Sequence, residues 1–295
     1  MKQLPKLFLT CAIIFLLGET AGALELEVQA GAGNMAFDAK SEKALITGSE
    51  GYKPVTFPLG HISVKGEYSD LIDYSFRIEQ DPILRRRATG AVGLNFKFGR
   101  FEMGPLAGIM NTGELPLSAG VAGSLRLEYP GIIFGSLKAS STLASAMAMP
   151  GDHIQSEGEA ALGFWVPNVI CELSINVKNF TCLMTETLFS RDELIRYQFS
   201  ADVHSKNVPY TIKIDMGYQE LSRAYRPTGT ATGNTETDEL KSVFLGFEGT
   251  WRIIPKLRAV LGLEMPVYSW TTQPLKKDDP DTVFYEFRAG VILNF

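Results

Sequence analysis

The sequence predicts an all-β protein, and three observations lead to that fold class. Apolar and polar residues alternate with a period of two along most of the chain, 28 of its 295 residues are glycine, and 11% are aromatic. A period of two places successive side chains on opposite faces of an extended strand. The spacing of an amphipathic helix is scarce, so we expect strands joined by turns and loops.

The first residues have a composition of their own. Two lysines precede an apolar run over residues 7–17, and the small residues 21–23 follow it. A short basic start, an apolar core and a small-residue site are the three parts of a secretory signal peptide, and the run is too short to span a bilayer. We therefore predict an exported protein whose signal peptide is 1–23 and whose folded domain is 24–295.

Alternation is clearest near the C-terminus. Every odd-numbered residue from Val283 to Phe295 is apolar, and so is every even-numbered residue from Tyr210 to Tyr218. The same criterion, applied to the rest of the domain, predicts fourteen strands. In chain order they are 24–36, 58–66, 71–79, 89–98, 101–110, 117–128, 131–141, 153–166, 169–179, 193–204, 209–219, 241–253, 257–267 and 283–295.

The linkers between these strands alternate in length. The short ones are predicted turns at 99–100, 129–130, 167–168, 205–208 and 254–256. The long ones are predicted polar loops at 37–57, 142–152, 180–192, 220–240 and 268–282. Short turns at one rim and long loops at the other are typical of a transmembrane up-and-down antiparallel β-barrel with an even number of strands.

Two alternatives to the fourteen-stranded barrel stay open at this point. A soluble β-sandwich also alternates apolar and polar residues, although nothing in its construction makes loop lengths alternate. Strands 58–66 and 71–79 form the weakest predicted pair. One bent strand in their place, with a rearranged start, leads to a barrel of twelve strands.

The last strand, 283–295, resembles the C-terminal assembly signal of bacterial outer-membrane proteins, because it alternates apolar residues and ends in Phe295. The resemblance implies a location in the bacterial outer membrane, contact with outer-membrane lipid, and insertion by the barrel assembly machinery through this strand. In size the domain is similar to the fourteen-stranded monomeric porins. The resemblance implies no particular oligomeric state, and the net charge of −5 argues against a nucleic-acid partner.

Within each strand, charged residues mostly occupy the positions that alternate with the apolar ones. We call these alternate positions, which lie on one face of the sheet, one parity of the strand. A charged side chain facing lipid at the bilayer midplane costs about 2–4 kcal/mol for Arg or Lys, so this parity is predicted to face the lumen. The candidate pore-lining residues are Lys97, Glu102, Arg126, Lys138, Glu157, Glu159, Glu172, Lys178, Arg196, Asp202, Lys213, Asp215, Glu248, Arg252, Arg258, Glu264, Glu286 and Arg288.

The width of the barrel decides the predicted function. About eight strands leave a lumen filled by side chains, whereas 16–18 leave an aqueous channel, so fourteen lie nearer the open end. We predict a passive pore for small polar solutes across the outer membrane. The alternatives are a surface-exposed structural or adhesin-type barrel with a closed lumen, and an uptake channel for apolar compounds.

Other sequence features carry weaker predictions. The basic run Arg85-Arg86-Arg87 belongs to the outer rim, where it is either a site for anionic lipid or polysaccharide or a solvated loop tip. The long loops 37–57 and 220–240 either fold inward and narrow the mouth or stay at the surface.

We expect no enzymatic activity, no cofactor and no metal site. The histidines are His61, His153 and His204. His204 shares a face with Ser200 and Asp202, but neighbours two apart on a strand are separated by about 6.6 Å, which is too far for direct proton transfer.

Overall fold

The computed structural model describes residues 24–34, 56–109, 117–143, 149–185, 188–204, 208–227, 236–270 and 284–295. The predicted signal peptide, 1–23, lies outside this part of the chain. Among the described residues, no helix is long and apolar enough to cross a membrane.

The described residues form fourteen strands. They are β1 (Leu24–Gly33), β2 (Phe57–Ser69), β3 (Ile72–Asp81), β4 (Arg85–Phe96), β5 (Gly99–Ile109), β6 (Leu117–Tyr129), β7 (Ile133–Thr142), β8 (His153–Val166), β9 (Val169–Thr185), β10 (Leu188–His204), β11 (Tyr210–Pro227), β12 (Glu236–Ile254), β13 (Leu257–Trp270) and β14 (Glu286–Asn294). Each strand pairs antiparallel with its sequence neighbours, and β14 pairs with β1. The fold is therefore a single closed barrel, as predicted, and the sandwich and the twelve-stranded barrel are excluded.

The seam between the first and last strands completes the hydrogen-bond ladder. Nine residue pairs join β1 to β14, from Glu25 opposite Asn294 to Gly33 opposite Glu286. At the end of the ladder the backbone N–H of Phe295 donates to the carbonyl of Leu24 at 2.8 Å. Closure removes the unpaired edges that an open sheet would present, which is what a sheet in lipid requires.

The outer face of the barrel is apolar. Leu137, Leu162 and Leu173 each expose more than half of their surface, because their strands turn them away from the lumen. Tyr210 and Trp251 are cross-strand partners at the short-turn end, and both are at least half exposed. An apolar belt with aromatic residues at its border is the pattern of a barrel embedded in lipid.

Strands β9 to β12 extend beyond the predicted ends. The predicted loop 180–192 is wrong, because β9 continues to Thr185 and β10 begins at Leu188. The predicted loop 220–240 is also too long, since β11 reaches Pro227 and β12 begins at Glu236. Outside the lipid both faces of a strand tolerate polar residues, so the ladder continues where the alternation that marks it has faded.

Several turns also differ from the predictions by one or more residues. The turn predicted at 99–100 lies at 97–98, and Gly99 and Arg100 begin β5. Strands β3 and β4 are joined by residues 82–84 alone. The turn at Pro167-Asn168 is confirmed, and Asn168 has φ 65°, a left-handed conformation that Asn tolerates better than most residues.

Candidate functional site in the lumen

The register of the strands places the predicted charged residues on the inner face. Cross-strand partners share a face of the sheet, and the partners include Lys138 with Glu159, and Lys213 with Glu248. All the candidate pore-lining residues except Lys97 lie on this parity. Their common position on the inner face of the barrel is set by the ladder.

Lys97 is the exception. Strand β4 ends at Phe96, so Lys97 lies in the turn that leads to β5. Its ammonium group lies 5.0 Å from the centre of the Phe98 ring. The prediction extended strand 89–98 by two residues into the turn, because Lys97 continues the alternation that precedes it.

The turn between β3 and β4, residues 82–84, folds into the barrel; we call it the inward turn. The carboxylate of Asp81 accepts the backbone N–H groups of Ile83 and Leu84, each at 2.8 Å. Arg85 then adopts φ 65°, a conformation that costs a non-glycine residue roughly 1–2 kcal/mol. Ile83 is 2% exposed and Leu84 is fully buried, so this turn is not a solvated tip.

The inward turn packs against the opposite wall of the barrel. Ile83 belongs to a buried apolar cluster. The other buried members of this cluster lie on β9, β11 and β12, which are six to nine strands after β3 in the barrel. Those members are Phe180, Cys182, Leu221 and Leu240, with Leu194 and Phe284 packed against them. In a ring of fourteen strands this contact crosses the lumen, and it occludes part of the outer end.

Ion pairs hold the inward turn across the lumen. Asp81 pairs with Lys178 on β9 at 2.5 Å. Arg85 approaches Asp192 on β10 at 3.5 Å, and its guanidinium lies between the rings of Phe57 and Phe180. The charges are buried but paired, which is the condition under which an interior tolerates them.

Two further arginines reinforce this end of the barrel. Arg87 pairs with its cross-strand neighbour Glu79 and with Glu157 on β8. Arg223 is almost fully buried, and its Nη2 donates to Asp192 Oδ2 at 2.6 Å. The acid Asp192 thus serves two arginines from different strands.

Neutral polar groups fill the wall on the other side of the inward turn. His153 Nδ1 donates to the Gly151 carbonyl, and His153 Nε2 lies 3.1 Å from Ser118 Oγ. Gln155 Nε2 donates to the Arg86 carbonyl at 3.2 Å. A His–Ser pair is the combination found in catalytic dyads. His153 and Ser118 are both buried, however, so a substrate has no access to them.

Sequence reasoning missed Asp81, Arg87, Asp192 and Arg223, because it assigned them to loops. A signal for the first two was present. Glu79 and Asp81 precede the turn and Arg85 and Arg87 follow it, so the acids and the bases pair when the two strands fold back on each other. The basic run is therefore not a rim site: Arg85 and Arg87 point inward, and only Arg86 is exposed.

The lumen is more open on the side of the inward turn that faces the periplasm in barrels of this kind. The side chain of Lys138 is 57% exposed against 23% for its partner Glu159. Lys213 is 39% exposed against 15% for Asp215. Arg288 is 44% exposed against 14% for Glu286. These side chains are accessible from the open space inside the barrel.

No group of three or more His, Cys, Asp or Glu residues suited to a metal ion occurs in the described part of the chain. The acidic cluster Asp278, Asp279 and Asp281, whose spacing does not match a calcium-binding loop, lies outside the described residues.

Comparison with known proteins finds likeness in architecture alone. No family model and no curated protein sequence matches the chain. Among solved structures, OmpT of Vibrio cholerae in its trimer form is 8% identical, covers 94% of this chain and 99% of its own, and has a TM-score of 0.38. OmpF of Salmonella typhi is 6% identical, with 94% and 99% covered and a TM-score of 0.40. A bacterial polysaccharide outer membrane secretin is 10% identical, with 92% and 97% covered and a TM-score of 0.45.

The chain's own architecture is that of a bacterial outer-membrane β-barrel. The closed ladder of fourteen strands, the apolar outer belt and the charged inner face are the properties that a barrel needs in order to span that membrane.

Proposed function

We propose that the protein is a passive, non-enzymatic channel for small polar solutes, and that the inward turn forms its narrowest section. The observation that carries this proposal is the set of solvent-accessible ionic side chains in the lumen on the periplasmic side of the inward turn, of which Lys138, Lys213 and Arg288 are examples. Ionised groups need water or a partner. A lumen that keeps their tips in water suits polar solutes.

The inward turn limits the size of what passes. Its residues Ile83 and Leu84 occupy the outer end of the lumen, together with the ion pairs of Arg85 and Arg87. A fourteen-stranded barrel without such a turn would approach the width of an aqueous channel. We therefore expect a conductance well below that of an unobstructed barrel of this size.

A closed barrel with a structural or adhesin-type role is the second candidate. The buried apolar cluster around Ile83 favours it, because that cluster is packed like an interior. An uptake channel for apolar compounds is less well supported, since ionic side chains cover the inner wall below the cluster.

Single-channel recording in planar bilayers tests the proposal. The purified protein should give steady steps of small conductance, and the double variant Ile83→Ser/Leu84→Ser should give steps several times larger, because it removes the apolar anchors of the inward turn. The matched control is Leu143→Ser, a change at an exposed position at the end of β7, and it should leave the step size unchanged.

The outcomes separate the two candidates. Steps in the native protein support the channel. The absence of steps in both the native protein and the double variant, after insertion has been verified, contradicts the channel and supports the closed barrel.

A further inference from the structure

We infer that the lumen selects small anions, and that two arginine pairs at its periplasmic entrance, Arg100 with Arg126 and Arg252 with Arg258, determine this preference. The inference rests on the proposed channel function and names its substrate class. The solutes are small molecules that carry a carboxylate or phosphate group.

The ladder places like charges directly opposite each other at two positions. Arg100 on β5 faces Arg126 on β6, and Arg252 on β12 faces Arg258 on β13. All four lie near the short-turn ends of their strands and on the inner parity. Strand β12 is seven places from β5, and β13 is seven places from β6, in a ring of fourteen. The two pairs therefore face each other across the entrance.

Such pairs weaken a sheet unless something offsets the repulsion, because like charges directly opposite are destabilising. Carboxylates offset it in part. Asp73 and Glu102 accept from Arg100 at 2.6 and 2.5 Å, and Glu25 accepts from Arg258 at 2.8 Å. These carboxylates do not satisfy every N–H group of the arginines. The Nε groups of Arg100 and Arg258 are buried and have no hydrogen-bond partner among the described residues.

The ion pairs around the entrance present their cations to the water. Lys65 is 54% exposed against 30% for Glu25, and Arg126 is 45% exposed against 38% for Glu128. Lys138, Lys213 and Arg288 show the same bias more strongly. The reason is length, because Lys and Arg side chains reach towards the axis while the shorter carboxylates stay at the wall.

Carboxylates on the same face oppose this effect. Glu172, Asp202 and Glu248 also lie on the inner parity, but each is only partly exposed, and Asp202 Oδ1 is buried. Within the ion pairs described above the cation is the more exposed partner, so a solute in the lumen meets guanidinium and ammonium groups first. Guanidinium groups bind carboxylate and phosphate through paired hydrogen bonds, so the entrance attracts anions although the whole chain has a net charge of −5.

The reversal potential in a potassium chloride gradient measures this preference. In dilute salt, where screening is weak, the native channel should pass chloride better than potassium. The double variant Arg126→Glu/Arg252→Glu should lower the chloride-to-potassium permeability ratio by about fivefold or more, the effect of one unit charge at close range in water. The control Arg191→Glu makes one Arg-to-Glu replacement on an exposed side chain of the outer face, and it should leave the ratio unchanged.

A binding measurement tests the same inference without conduction. The fluorescence anisotropy of pyranine, a small trisulfonate dye, should rise when the native protein in detergent is added. The rise should be lost in Arg126→Glu/Arg252→Glu and kept in Arg191→Glu, with folding verified by heat-modifiable gel mobility.

The two measurements distinguish the ways of failing. Conducting channels with a ratio at or below one, or a native protein that does not bind pyranine, overturn the anion preference and leave the channel standing. Binding of pyranine without any conductance supports the charged entrance and contradicts the channel.

Discussion

At the scale of single residues, the outer end of the lumen depends on Asp192. Its carboxylate is buried and pairs with Arg223 and Arg85, which come from β11 and β4. A buried ion pair adds little net stability compared with an apolar substitute, but the loss of one partner leaves an uncompensated charge in a dry site. Asp192 is therefore the residue whose removal should affect the outer end most.

The change Asp192→Ala should lower the free energy of unfolding by about 3–5 kcal/mol, because it leaves two arginines without their shared carboxylate. Denaturant titration of the barrel in lipid vesicles measures this value. The neighbouring change Glu193→Gln serves as the control. Glu193 forms an ion pair with the exposed Arg191 on the outer face of the barrel. Loss of this pair should lower the free energy of unfolding by less than about 1 kcal/mol. Equal effects of the two changes would show that Asp192 is not a buried anchor.

At the scale of elements, the barrel depends on the close approach of β1 and β14. A Cβ atom added to Gly31 would lie 1.9 Å from the carbonyl oxygen of Phe287, a backbone atom that cannot move without breaking the ladder. Glycine at this position therefore lets the seam close. Gly158, on β8, differs because a Cβ atom there would meet nothing within 4 Å.

This contrast leads to a matched pair of substitutions. Gly31→Ala should reduce the yield of closed barrel strongly, and Gly158→Ala should leave it unchanged. The fraction that keeps a heat-modifiable mobility on an unboiled gel measures closure. A normal yield for Gly31→Ala would mean that the seam is looser than its ladder indicates.

The strands and turns also differ in how well they could be predicted from the sequence. The fourteen strands could be predicted because lipid on one side and ionic groups on the other impose strict alternation, as from Val283 to Phe295. The extension of β9 to Thr185 could not, because a strand outside the lipid needs no alternation. The inward turn escaped prediction for a different reason: its burial depends on contacts with Phe180 and Leu221, which are remote in sequence.

The candidate site was predictable to a similar extent. Parity alone assigns Glu102, Arg126 and the other strand charges to the lumen. It does not reveal that Arg100 faces Arg126, since that requires the register between β5 and β6. Nor does it reveal which member of an ion pair reaches the water.

At the scale of the whole molecule, the barrel has two unlike sections. The outer section is crossed by the inward turn and its ion pairs. The section on the periplasmic side of the inward turn has solvent-accessible ionic side chains. In the proposed channel, this division would let a wide barrel restrict large solutes while it keeps a polar interior, because the obstruction takes up only part of the lumen's length.

Accessibility of two adjacent residues tests this arrangement most directly. Lys138 points into the lumen and Leu137 points to lipid. Each is replaced by cysteine in a protein whose Cys171 and Cys182 are serine, and the barrels are placed in lipid nanodiscs. A water-soluble, charged thiol reagent should label Lys138→Cys rapidly and Leu137→Cys hardly at all. Equal labelling of both, or labelling of Leu137→Cys alone, would contradict a water-filled charged lumen inside an apolar wall.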